Sequence, residues 1–198
     1  MKLDNELLRQ LYNPSQWADP QWLAQYRIDT QWPSRLRNAL LLQRAGMFPL
    51  TMADIESPST DWLAANWDAL PAATYIAGAT LARNTLLSRN MLLRLRHRAS
   101  HFVELSAVIP AWDAHMEGEA FSDLHGRDAH SLAIAAGTHC LLAAWPGLTP
   151  GWRGRLRLLL PPEAGLERPA RPVPPLPAAH VCRRLLDHTI RFHRAQNH

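Results

Sequence analysis

Lysine is almost missing from this chain: Lys2 stands alone against 20 Arg. Alongside abundant Ala, Leu and Pro, that ratio looks like the coding bias of a GC-rich genome, so arginine count by itself is no argument for a nucleic-acid partner. Cysteine is equally scarce. Cys140 and Cys182 share no short spacing motif, and they read as free buried thiols rather than a disulfide framework. The 9 Gly are scattered, and the chain has no phosphate-cradling glycine loop, no dinucleotide fingerprint and no Gly-x-Ser-x-Gly turn. No run approaches the roughly 18 apolar residues of a membrane span; the longest, Leu132 to Trp145, is interrupted by Thr138 and His139. The opening Met1-Lys2-Leu3-Asp4-Asn5-Glu6 has acids where a signal peptide needs bases, and no apolar stretch follows. These absences predict a cytosolic protein.

What is present is an ordinary globular composition, with 198 residues of which 47% are apolar. A chain of this size buries about 70% of its extended surface, enough for one substantial core. The charge is arranged in blocks. Residues 1–68 hold 6 bases and 8 acids, 69–100 hold 5 and none, 101–130 hold 1 and 6, and 131–198 hold 9 and 3. The net charge of +4 is therefore a set of patches of both signs.

Helical spacing dominates, and strand-like alternation is nearly absent. Leu3, Leu7, Leu8 and Leu11 mark a first helix that Asn13-Pro14 stops. Pro20 after Asp19 opens a short segment carrying Trp22 and Tyr26, and Ser34 caps a helix over 35–45 that Gly46 ends. Residues 51–59 read as a loop or short turn. Asp61 caps a helix over 62–69, and Pro71 opens a long one from Ala72 to about Leu95 that is apolar on most sides. Further helices are predicted over 100–108, from Pro110 to Glu119, and from Asp128 or Ser131 to Pro146-Gly147. The alternation Arg155, Leu156, Arg157, Leu158 allows a short strand or extended arm over 152–160. Seven Pro between 161 and 177 forbid a helix there. The last helix, 178–195, sets Val181, Cys182, Leu185, Thr189 and Phe192 against Arg183, Arg184, Asp187, Arg191 and Arg194. The reading is all-α: one irregular helical domain over 1–160, a Pro-rich linker or surface belt over 161–177, and an amphipathic helix over 178–198 docking on the same domain.

The potentially reactive residues have plainer roles available to them. His97 and His101 share a helix face, but arginines surround them and no carboxylate follows in zinc-protease spacing. His115, Glu119, Asp123, His125 and His130 form an acidic cluster without ligand-specific spacing, better read as a polar loop. Cys140 adjoins His139, yet neighbouring side chains on a helix diverge and cannot act as thiolate and base. Arg83, Arg94 and Arg98 fall within about 60° of one another if one helix continues, which would make a phosphate-following stripe. Against that, Leu87 and Leu105 share the sector and no helix-turn-helix accompanies it. The eight Trp read as core and junction fillers, with any exposed ones as interface anchors.

Two blocks of residues carry a family resemblance. Tyr12-Asn13-Pro14, Trp17, Pro20 and Leu23 form the first; Trp67, Leu70-Pro71, Tyr75-Ile76, Gly78 and Arg83 form the second and more specific. The order Leu141 to Pro146, then Trp152, Arg155 to Leu160 and the helix around Cys182 is similar to the YscK branch. On these residues the chain resembles the SctK accessory proteins of type III secretion systems, most closely the OrgA and MxiK members. The resemblance implies a non-enzymatic, largely helical adaptor of the cytosolic sorting platform, at the cytosolic face of the inner membrane. It would join the ring protein SctD to the pod protein SctQ, and indirectly the SctL and ATPase complex, with no cofactor, metal, nucleic acid or small-molecule ligand. Candidate partner-binding residues are Arg83, Arg94, Arg98, Arg183, Arg184 and Arg191 on the basic side, and Asp113, Glu117 and Asp123 on the acidic side. Pro14, Trp17, Pro20, Trp67, Leu70, Pro71, Tyr75 and Gly78 carry the family pattern structurally, Gly78 as a close helix-packing point. A basic nucleic-acid binder and a small helical enzyme remain the alternatives.

Overall fold

The computed structural model describes residues 11–56, 58–105, 128–162 and 178–197. Among them the regular structure is helical throughout, without a strand. The chain forms two compact units: the first within Met1–Asp68 and Gly147–Pro162, the second within Ala69–Pro146 and Glu163–His198. The first predicted helix, apart from Leu11, lies outside the described residues, as do the helix from Pro110 and the Pro-rich stretch from 163 to 177.

The first unit opens with α1 (Pro14–Trp17) and α2 (Pro20–Gln25). Asp19 caps α2 by accepting the Gln21 N–H, with Pro20 in the first turn, as its position in the sequence predicts. Helix α3 (Ser34–Arg44) starts one residue earlier than expected because Pro33 is its N-cap. Gly46 ends it at φ +59°, where its N–H and that of Met47 reach back to Gln43 and Leu42. Where a loop or short turn is expected over 51–59, residues 52–55 are helical and a further helix starts at Pro58. Thr51 and Asp54 form a reciprocal capping box on α4 (Met52–Ile55), and α5 (Pro58–Asn66) begins before Asp61, which sits in its first turn instead of capping it.

Helix α10 (Pro150–Leu159) replaces the strand or arm allowed by the Arg-Leu alternation. Thr149 accepts the Trp152 N–H and Pro150 occupies the first turn, a strong start signal. The alternation misleads because these arginines do not point uniformly to water. The Arg155 guanidinium lies 4.8 Å from the Tyr12 ring centre, and that of Arg157 5.3 Å from the Trp22 ring. Trp22, Ile28, Leu41, Ala45 and Leu158 form one core cluster of this unit, and the Trp22 indole N–H donates to the Leu160 carbonyl at 2.8 Å.

Around Asp54 the polar groups are closely matched. Its carboxylate accepts from Thr51 N–H (2.6 Å), Thr51 Oγ1 (2.7 Å) and Thr149 Oγ1, while its carbonyl accepts from Thr60 Oγ1 and from the Trp152 indole at 3.1 Å. Burial pushes the carboxyl pKa up, but the Thr149 and Thr51 hydrogen bonds and the Arg155 charge outweigh it and hold it below the ordinary value. Trp67 packs edge-on to Trp17 and tilted against Trp152, so these rings fill a junction, as expected of them.

The second unit is built on α6 (Leu70–Leu81), buried on nearly every side. It packs against α8 (His97–Leu105), α9 (Ala129–Ala144) and α11 (Ala179–Ala195). Pro71 lies in its first turn. At Gly78 and Gly137 the α6 and α9 backbones touch. A Cβ on Gly78 would sit 1.8 Å from the Ala133 carbonyl oxygen, and one on Gly137 1.9 Å from that of Thr74. Asp128 caps α9 through the His130 and Ser131 N–H groups, one of the two starts the sequence allowed.

The long helix predicted to reach Leu95 is broken in two places. Helix α6 stops at Leu81, α7 (Arg83–Ser88) follows, and Asn90 turns left-handed at φ 52°. The N–H groups of Asn90 and Met91 bond Leu87 and Leu86, closing α7 as glycine usually does. A 3-10 turn (Leu92–Arg94) then leads into α8, which begins at His97 rather than at Ser100. In α11, Cys182, Leu185 and Thr189 are buried as expected, with Leu186 and Ile190 added; Val181 and Phe192 are half-buried.

Candidate functional site

The breaks in the 72–95 segment undo the proposed arginine stripe. Arg83, Arg94 and Arg98 stand on three different elements, α7, the 3-10 turn and α8, so no single helix face carries them. Arg83 is half-buried, while Arg94 and Arg98 are exposed. Arg98 Nη1 donates to Asn197 Oδ1 at 2.7 Å, which ties α8 to the end of α11. His193 on α11 has its pKa lowered by burial first, then by the charges of Arg98 and Arg194. Two basic segments separate in sequence are thus neighbours in the second unit.

The α11 arginines divide by role. Arg183 Nε donates to the Ala144 carbonyl at 2.6 Å, and its guanidinium lies 5.7 Å from the Trp145 ring centre. It places a cation on the C-terminal carbonyls of α9, where the helix dipole favours one. Arg184 and Arg191 are exposed on the side away from the buried Leu185 and Leu186 positions. The acidic candidates Asp113, Glu117 and Asp123 lie outside the described residues.

The residues of the family pattern are packing residues. Pro14, Trp67, Leu70, Tyr75 and Gly78 are buried, Trp17 and Pro71 half-buried, and Pro20 opens α2. The Tyr75 hydroxyl is 3.0 Å from His130 Nδ1, and the Arg96 guanidinium lies 5.2 Å from the Tyr75 ring. Burial raises the Tyr75 pKa against the Arg96 N–H and charge, so the phenol stays protonated and structural.

Among the described residues no group of three or more His, Cys, Asp and Glu is arranged to hold a metal. His97 and His101 do stack, with ring centres 6.4 Å apart, and His101 also neighbours Phe192. Of the acidic cluster only His130 is described, and it faces Tyr75. Both cysteines are buried thiols outside any disulfide, with Cys140 Sγ 3.9 Å from the Cys182 carbonyl. Contact with the Cys182 thiol and burial push the Cys140 thiol well above its ordinary pKa, away from the reactive thiolate.

Several large apolar side chains are exposed, and no local sequence pattern marks them. In the first unit Phe48 (62% exposed) and Met52 (65%) stand out, with Tyr12, Trp32 and Leu36 less so. Tyr12 and Phe48 are linked: Arg155 packs on the Tyr12 ring and donates to the Phe48 carbonyl at 3.2 Å, while Leu50 N–H donates to the Tyr12 hydroxyl. In the second unit Leu93 (84%) and Leu87 are exposed beside the arginines. The indirect signals are the loop residues after Gly46 for Phe48 and the Asn90 break for Leu93.

The fold and these surfaces define an all-helical protein whose marked residues either pack its core or present charge and apolar groups at its surface. No helix among the described residues is long and apolar enough to cross a membrane. Residues 7–197 match the family model described as "Bacterial type III secretion apparatus protein (OrgA_MxiK)", and the chain belongs to that family. Neither the curated proteins nor the solved structures include a match to the chain.

Proposed function

We propose that this protein is a non-enzymatic adaptor of the type III secretion sorting platform, working at the cytosolic face of the inner membrane. It joins the ring protein SctD to the pod protein SctQ, and through that link reaches the SctL and ATPase complex. Membership of a secretion-apparatus family supports the setting. One observation carries the bridging role: each compact unit has exposed side chains of its own that are suited to a partner. The first presents the exposed apolar side chains of Phe48, Met52 and Tyr12, and the second presents arginines, including Arg184 and Arg191 on α11. An apolar, aromatic-bearing patch supplies anchoring area, whereas a cationic face steers and orients an acidic partner. Two surfaces of unlike chemistry are what a link between two unlike partners requires.

The test uses the purified full chain with the SctD cytoplasmic domain and SctQ. Phe48→Asp with Met52→Asp is expected to weaken one partner about tenfold, and Arg184→Glu with Arg191→Glu to weaken the other similarly. Helicity by circular dichroism should be unchanged. Both partners binding both double variants at wild-type affinity would contradict the reading.

A further inference from the structure

Leu93 is the most exposed large apolar side chain among the described residues, at 84%. Nothing about its setting is loose. Asn90 closes α7, the Leu92–Arg94 turn follows, and Leu95 is buried directly after it. Arg96 is held against Tyr75 by its guanidinium over the ring and by its backbone N–H on the hydroxyl at 3.4 Å. The turn is therefore anchored immediately behind the leucine it exposes. An ordered backbone that leaves one aliphatic side chain in water gains nothing from that exposure within the monomer.

Among the described residues the turn and α8 carry mainly positive charge, the nearby acids being Glu104 on α8 and Asp128, which acts on Tyr75. Arg94, Arg96, His97, Arg98 and His101 are all exposed on the turn and α8, and the Arg98 bond to Asn197 brings the end of α11, with Arg194, to the same place. From 83 to 105 the chain holds 5 Arg and a single acid, Glu104. We propose that this turn is a lipid-contacting tip: Leu93 enters the headgroup and acyl boundary of an anionic bilayer while the flanking arginines hold lipid phosphates.

Two features favour a bilayer over a protein groove. A protein interface core is depleted of charge and needs about 800 Å² on each side, whereas here Leu93 projects from a turn flanked in sequence by the exposed Arg94, Arg96 and Arg98. A cluster of roughly four to eight Arg beside an apolar contact is the composition that anionic membranes select, and guanidinium pairs with phosphate through two donors at once. The tip gives peripheral attachment, in keeping with described helices too short or too polar to span. It is independent of the adaptor reading, which is tested at Phe48, Met52, Arg184 and Arg191.

The experiment is co-sedimentation of the full chain with vesicles of phosphatidylcholine alone or with one quarter phosphatidylglycerol. Binding is expected only to the anionic vesicles and should fall with salt. Leu93→Asp and Arg94→Glu with Arg98→Glu should each lower the partition about tenfold. The site is exposed, so both variants should keep wild-type helicity. A Leu93→Cys variant carrying an environment-sensitive dye, with Cys140 and Cys182 buried, should show a blue shift on anionic vesicles. Absence of binding to anionic vesicles, or equal binding by Leu93→Asp, overturns the proposal. Loss of SctD or SctQ binding by Leu93→Asp without vesicle partition also overturns it, and assigns the tip to a protein socket instead.

Discussion

Gly78 and Gly137 are the residues at which a single methyl group matters most. Each would drive a Cβ to within 2 Å of a carbonyl oxygen on the facing helix. Alanine gains about 1 kcal/mol of helix propensity at either site, but backbone overpacking outweighs it. Gly78→Ala and Gly137→Ala are each expected to destabilise the protein by about 2 kcal/mol, read as a lower urea midpoint; an unchanged midpoint would show that the helices separate freely. Gly78 was legible because a glycine inside an otherwise strong helix calls for a packing reason. Gly137 was not, since small residues surround it in an Ala-rich run and the Thr74 carbonyl it meets is 63 positions away. Asp54 makes a pH-dependent case. Its folded pKa lies below the ordinary value of 3.8, so its stabilisation is complete above that pH and is lost as pH falls through the folded pKa. Asp54→Asn, which keeps one acceptor oxygen, is expected to cost about 1–2 kcal/mol at neutral pH. Urea midpoints of the two proteins should converge below pH 3.8; a gap that widens there would reverse the sign of the argument.

Helix existence was readable from apolar spacing and from proline, and helix limits were readable only where a cap was chemically explicit. Asp19-Pro20, Gly46 and Asp128 mark their elements correctly. The 72–95 segment was misread because its break depends on Asn90, which adopts the left-handed conformation without being glycine. Asn90→Gly should leave stability close to wild type, while Asn90→Ala should cost about 1 kcal/mol in thermal or urea unfolding. Equal effects of the two would show that the left-handed turn is not what ends α7. Residues 152–160 were misread for the opposite reason. Thr149-Pro150 is a helix start, but alternating arginines resemble a half-exposed strand until Tyr12 and Trp22 are known to receive them. Thr149→Ala removes both the α10 cap and a donor to Asp54, and should cost about 1–2 kcal/mol.

At the scale of the whole molecule, charge blocks were visible in the sequence, but their grouping was not. Arg98 and Arg194 are neighbours because α8 and α11 both pack on α6, a relation no local pattern contains. Arg183 is exposed, as its place on the wheel predicts, and it also serves as a C-terminal partner for α9. The apolar group around Phe48 was equally hidden, since exposure of a phenylalanine depends on which neighbours leave it uncovered. Family membership is established by the match over residues 7–197. The central claim is that one chain holds two unlike partners at once through two unlike surfaces. The most direct measurement is size-exclusion chromatography with light scattering on the full chain mixed with the SctD cytoplasmic domain and SctQ. The account predicts a single species whose mass contains all three proteins. Mutual displacement of the partners, or a mass containing neither, would contradict it.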